Sequence, residues 1–227
     1  MEYGEVVRRR RMVRSFDPDQ GVPAGLVDRL LGYAVRAPSA GFTQGWRFLV
    51  LDTAADRAAF WAATTPVPVS GGPQRVGDVG SEGDVGSEGD GGSRWLRGMS
   101  TAPLIVVPHA SRDAYLDRYA EPDKGWTDRD DARWPVPYWY VDAGFASLLM
   151  LLGAVDEGLG ACFFGIPPQR TAAYRAAFAV PQEYSPIGAI AVGYPAADRR
   201  SPSLRRGRRG PAEVAYRGRW GAGYPAG

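Results

Sequence analysis

The sequence predicts a domain of mixed helix and strand, and three features carry that reading. Segments with apolar residues at helical intervals alternate with apolar runs of only four to six residues. Glycine and proline punctuate the junctions between them. One stretch, residues 141–157, is apolar on almost every side, as expected of a helix that is central to the fold or packed at a subunit interface.

Taken in order, residues 2–12 form a helical pattern with Tyr3, Val6, Val7 and Arg10 near one side, running into Arg8, Arg9, Arg10, Arg11 and Arg14. Five arginines in seven residues repel one another unless an anion lies nearby. A guanidinium binds phosphate in a bidentate fork, so a phosphate clamp is one reading and a solvated basic face the other. Residues 23–35 place Leu26, Val27, Leu30, Leu31 and Ala34 on one helical face. Pro38 then disfavours helix at Ala37. The loop that follows, Ser39 to Trp46, has polar groups at Ser39, Thr43 and Gln44, a flat apolar surface at Trp46, and two glycines, Gly41 and Gly45. Those glycines are expected to let backbone approach a ligand closely. A strand over 48–51 and a helix over 56–63 come next.

Order is expected to break down over 66–93. Gly77 to Glu82 repeats at once as Gly83 to Glu88, an acidic tract with almost nothing to bury, which is expected to be a flexible insertion inside a single domain covering 1–227. A helix over 95–100 leads to a strand over 104–107, with His109 in a structural role near its end. Residues 114–131 read as a polar and aromatic excursion. Trp134, Tyr138, Trp139 and Tyr140 suit a core, an interface or a pocket wall equally. The apolar helix 141–157 should end at Gly158. A glycine-rich segment around Cys162, a helix over 170–178, a strand over 187–192 and an arginine-rich tail complete the chain.

Composition limits the chemistry. Hydrophobic and charged residues make up 44% and 23%, ordinary for a globular chain, and the net charge of +2 does not by itself imply nucleic acid. With one cysteine and one histidine in 227 residues, an intramolecular disulfide is impossible and a Cys/His metal site or a Ser-His-Asp triad is disfavoured. Any redox chemistry would rest on a cofactor. No signal-peptide pattern opens the chain, and the most apolar segment, 145–155, is shorter than the roughly 20 residues of a membrane span. The expected setting is cytoplasmic, without membrane or nucleic-acid partners.

Four signatures in order resemble the nitroreductase family of FMN-dependent oxidoreductases. They are Arg10 to Phe16; Ala37-Pro38-Ser39 to Gln44-Gly45-Trp46; Asp142-Ala143-Gly144 through Gly158 to Cys162; and Ile190 to Pro195 with the arginine tail. The resemblance implies an α+β fold, a central and mostly antiparallel sheet flanked by helices, in an intertwined homodimer with FMN at the interface. It implies that Arg10, Arg11, Met12 and Arg14 surround the FMN phosphate, joined by Arg206, Arg208 or Arg209. Pro38, Ser39, Ala40 and Phe42 would come from the other subunit, with Gln44 supporting that loop or the flavin. Phe163 and Phe164 would lie along the isoalloxazine, and the backbone N–H of Gly165, the expected catalytic position, would point at N5. The implied activity is ping-pong: NAD(P)H delivers hydride, then a small nitroaromatic or quinone substrate takes the electrons.

Four positions depart from the family's pattern. Met12 stands in place of a hydroxyl residue, Phe42 in place of a common asparagine, Gly45 in place of a proline and Gly165 in place of a frequent acid. Specialised relatives (dehalogenating, azoline-oxidising, benzimidazole-forming or deazaflavin-using) and a flavin-storage protein are the competing readings. A nucleic-acid binder using the arginines is a third.

Overall fold

The apolar run near the middle of the chain becomes the centre of the fold. In the computed structural model, which describes residues 1–65, 91–197 and 201–224, Leu104–Ala110 forms strand β2 with all seven residues buried. Before it come helices α1 (Tyr3–Arg9) and α2 (Ala24–Ala34), strand β1 (Trp46–Leu51), and helices α3 (Ala54–Thr64) and α4 (Gly91–Met99). After it come α5 (Arg112–Tyr119), α6 (Tyr138–Asp156), β3 (Gly160–Phe164), α7 (Thr171–Ala177), β4 (Ser185–Pro186), β5 (Ala189–Gly193) and α8 (Pro211–Val214).

The sheet runs β1-β2-β5-β3, with short β4 also paired to β2, and every pairing of these strands is antiparallel. Side chains alternate across it as strand geometry requires. Leu104, Val106, Ile190, Val192 and Ala161 meet Val27, Leu30 and Ala34 of α2 and Ala143, Ala146 and Met150 of α6 on one face. Ile105, Val107 and Ala189 meet Phe60 and Tyr174 on the other, beside a smaller cluster of Val13, Phe16, Met99 and Cys162. Full burial of side chains such as Leu30, Met150 or Ile190 contributes roughly 1.5–3 kcal/mol each.

The fold class is the expected α+β arrangement, with shifted boundaries. Helix α6 starts at Tyr138 rather than near 141, so three of the four clustered aromatics, Tyr138, Trp139 and Tyr140, fall in its first turn. It is 19 residues long, and by length and composition alone it would cross a membrane. Its buried side, including Trp139, Asp142, Ala143, Ala146 and Met150, packs on the sheet and α2 instead. The excursion expected from residue 114 opens with a helix, α5, capped where the Ser111 hydroxyl accepts from the Ala114 N–H at 3.2 Å. The acidic repeat at 77–88 lies outside the described residues, while the last three positions of the expected insertion, 91–93, belong to α4.

Candidate functional site

The loop before β1 is held from several sides. Ser39 Oγ accepts from the Gln44 N–H at 3.0 Å and Thr43 Oγ1 donates to the Ala40 carbonyl at 2.6 Å. Between them Gly41, Phe42 and Gln44 have φ of 62°, 55° and 52°. The left-handed region costs an L-residue about 1–2 kcal/mol, so Phe42 and Gln44 are strained. The two glycines do not open space for a ligand as expected. A Cβ at Gly41 would lie 2.7 Å from the Tyr119 ring, and one at Gly45 2.6 Å from the Tyr115 ring. Their close approach is to the protein's own helix α5. Phe42 is 76% exposed, whereas Trp46 is buried in the core rather than offered to a ligand.

Two residues that sequence reasoning had given no role complete this loop. Asp142 is 2% exposed, and its Oδ2 accepts from the Ala40 N–H at 2.8 Å and the Tyr115 hydroxyl at 2.7 Å. Burial, then the hydrogen bond to Asp142, pushes the Tyr115 hydroxyl far above its ordinary pKa, so it stays a donor. Arg118 Nε donates to the Gly41 carbonyl at 3.0 Å while its other nitrogens hold Asp123 at 2.7 and 2.8 Å. That pairing pulls the Asp123 carboxyl down to about 2. Asp142 was visible only as part of a motif; its role depends on a contact across 102 residues of chain.

The arginine segment is fixed at the opposite corner of the sheet. Met12 bridges Ala161 in parallel, the Val13 N–H donates to the Ala161 carbonyl at 3.0 Å, and the Asp17 N–H donates to the Tyr194 carbonyl at 2.9 Å. Thr101 Oγ1 accepts from the Phe16 N–H at 3.1 Å and donates to its carbonyl at 2.9 Å. Gly98 presses directly on the Arg14 carbonyl, where a side chain has no room. Arg14 Nη1 donates to the Met12 carbonyl at 3.4 Å. Arg11 is exposed, and Arg10 Nη1 is buried without a hydrogen-bond partner among the described residues. A buried, unpaired guanidinium nitrogen is costly, which makes it a fitting donor for an anion.

From Ala161 to Gly165 is about 13 Å along edge strand β3. Gly165 follows the strand's end and is exposed. Phe163 and Phe164 are successive strand residues and point to opposite faces. Phe163 packs against the α2/α6 core, while Phe164 stacks on Trp61 (5.6 Å, 9°) with Trp95 edge-on. One planar ring would therefore meet Phe163 or Phe164, not both. The structure brings Arg10, Arg11, Met12 and Arg14 to the same strand as Gly165. It puts Pro38, Ser39, Ala40, Phe42 and Gln44 beyond the other edge, about 14 Å across and about 20 Å along the strands. Arg206, Arg208 and Arg209 are exposed on the tail, and Arg199 and Arg200 lie outside the described residues. His109 sits inside β2, 3.0 Å from the Tyr174 hydroxyl.

Known proteins share the sequence pattern and the fold. A candidate NADH dehydrogenase/NAD(P)H nitroreductase of Methanothermobacter thermautotrophicus is 25% identical over 199 residues, covering 86% of this chain and 78% of its own. Among solved structures, a nitroreductase-like protein of Streptococcus mutans superposes with a TM-score of 0.65 at 17% identity, over 94% of this chain and 96% of that one. A nitroreductase of Exiguobacterium sibiricum, solved in complex with FMN, gives 0.59 at 17% identity over 92% and 98%. The nitroreductase family model itself matches residues 7–194, spanning the arginine segment, the braced loop, α6 and the β3 edge, and the chain belongs to that family.

Proposed function

We infer that this oxidoreductase is FMN-dependent, takes hydride from NAD(P)H and, in ping-pong order, reduces a nitroaromatic, quinone or similar small acceptor. The observation that carries the reading is the edge strand itself. It has a cationic segment at one end, with a buried Arg10 nitrogen that is unpaired among the described residues, and an exposed glycine at the other. The FMN bound by the Exiguobacterium sibiricum relative and the naming of the archaeal relative support cofactor and donor.

In this reading Arg10, Arg11 and Arg14, with Arg206, Arg208 or Arg209, supply charge-assisted donors to the cofactor's phosphate. The Gly165 N–H is a fixed donor beside the reacting ring, in place without reorganisation. Bound FMN would supply the hydride-accepting atom, and the protein supplies position and field. No side-chain acid or base is needed, in keeping with the engagement of His109 by Tyr174.

The site is completed in a homodimer, because the loop and the arginine segment of one chain lie at diagonal corners with the helix-covered sheet between them. A stripe on α6 supports this: Tyr138, Val141, Phe145, Leu148 and Leu152 recur at three- and four-residue steps. Tyr138, Phe145 and Leu148 are 42%, 44% and 46% exposed. Tail residues Leu204, Val214 and Trp220 are exposed too, as suits an arm that wraps a second copy. We place the dimer in the cytoplasm, with no membrane or nucleic-acid partner.

The test is the visible spectrum of the purified protein, repeated anaerobically with NADPH. Two flavin bands that bleach support the assignment. A flavin spectrum that persists favours the specialised or storage readings, and a colourless protein that takes up no FMN refutes it. Size measurement of Phe145→Glu/Leu148→Glu, expected to be monomeric and flavin-poor, tests the dimer.

A further inference from the structure

Asp142 is a carboxylate buried in the second turn of α6, and among the described residues no hydrogen bond or ion pair to a cation is found for it. Burial of that kind is tolerated only when hydrogen bonds replace water. Among the described residues its two hydrogen bonds converge on a single oxygen, Oδ2, one from the backbone of Ala40 and one from the Tyr115 hydroxyl. Neither donor belongs to its own helix. The carboxylate therefore ties together α5, α6 and the 39–45 loop at one atom.

The loop it holds is strained, and the strain serves no packing purpose inside this chain. Phe42 adopts a left-handed backbone at φ 55°, and its ring, 76% exposed, adds almost nothing to the core. Such geometry persists only where the surroundings over-determine it. Here they do: Tyr115 lies against Gly45, Tyr119 against Gly41, and Arg118 on the Gly41 carbonyl. Without Asp142 the Ala40 N–H and the Tyr115 hydroxyl would both lose their acceptor, and the loop would be free to relax.

We propose that Asp142 is a positioning residue that locks the 39–45 loop in its left-handed form, so that Phe42 stands as a preset aromatic wall of the partner's flavin pocket. The site is the one described under the proposed function, and this role rests on that reading. The departure at Phe42 then has a purpose. A ring in place of a polar amide makes that wall apolar, which selects acceptors with a flat hydrophobic face over small polar ones.

The experiment compares Asp142→Ala, Asp142→Asn and Tyr115→Phe by two measurements. One is amide hydrogen exchange over residues 40–45 in the FMN-free protein; the other is the Kd for added FMN. Asp142→Ala should exchange at least about tenfold faster there and bind FMN about tenfold more weakly, as expected for loss of a charge-assisted hydrogen bond. Asp142→Asn, whose amide oxygen can accept both bonds, should restore most of each. Unchanged exchange and Kd in a folded Asp142→Ala protein overturn the proposal, because a merely structural residue would lower stability alone. If that variant does not fold, Tyr115→Phe decides: it keeps the ring against Gly45 and removes only the donor, and unchanged exchange there overturns the role equally. A wild-type protein that binds no FMN refutes the flavin reading, while the exchange measurement still decides whether Asp142 positions the loop.

Discussion

The loop before β1 and the arginine segment beside β3 are both candidate binding elements, yet they solve opposite problems. In the loop, Ser39, Ala40 and Thr43 find partners within the chain, and the α6 carboxylate that braces it is buried on two hydrogen bonds. In the arginine segment the backbone is equally well held, by Ala161, Tyr194 and Thr101. There, however, Arg10 keeps a buried nitrogen with no partner among the described residues. One element is finished and rigid; the other is rigid in backbone and incomplete in charge. The lesson is that preorganisation and ligand demand can be separated in a structure. A finished element shapes the pocket, and an unfinished one identifies what the pocket binds.

The largest expected effect breaks the unfinished side. Arg10→Ala/Arg14→Ala should purify with less than about a tenth of the wild-type flavin, since each charged hydrogen bond is worth about 1.5–3 kcal/mol. The ratio of flavin to protein absorbance measures it, and full retention would remove the phosphate assignment. Breaking the finished side should instead cost stability. Asp142→Ala leaves a buried hydroxyl and a partly buried N–H unsatisfied and should lower the unfolding free energy by about 2–4 kcal/mol in a denaturant titration. A loss below about 1 kcal/mol would mean the loop is not held from α6.

A finer probe separates strain from packing. Phe42→Val puts a β-branched residue into a left-handed backbone and should cost about 1–2 kcal/mol, although the side chain it removes is mostly exposed. Phe42→Gly should stay within about 1 kcal/mol of wild type, because relief of strain offsets the added freedom of the unfolded chain. Equal losses in both would show that the ring, not the backbone, carries the energy.

The smallest effect is a baseline away from both elements. Burial pushes the His109 imidazole below its ordinary pKa, and it accepts or donates to Tyr174 as a neutral ring. Below about pH 6.5 the unfolded chain gains a proton that the folded chain resists, so this contribution to stability is present at neutral pH and is lost as pH falls. The loss is at most about 1.4 kcal/mol per pH unit for the single group. Stability curves of wild type and His109→Gln between pH 5 and 7.5 should therefore converge toward the acid end. Parallel curves would show that His109 keeps its proton exchange in the folded state.

Much of this molecule was legible one residue at a time. Short apolar runs and helical patterns located β1, β2, β5, α2, α3 and α7 to within a few positions, because burial selects apolar residues along a strand covered on both faces and along one face of a helix. The arginine cluster was visible as unbalanced charge in close sequence, which needs no coordinates, and left a phosphate clamp and a solvated basic face both open. Local chemistry also assigned a structural role to His109. What sequence left open, or placed wrongly, depended on distance in space. The glycines of the loop are small for the sake of Tyr115 and Tyr119, not for a ligand, and only the fold brings those rings there. Phe163 and Phe164 are neighbours in sequence, but the pleat of β3 sends them to opposite faces. Asp142 was visible in sequence only as part of a motif; the partners that make it a brace lie 27 and 102 residues away. Sequence alone determined which segments are helix, strand and charge, because those are properties of neighbours along the chain. The tertiary structure decided which groups share an oxygen, a face or a corner, because burial energies are settled between residues that only folding brings together.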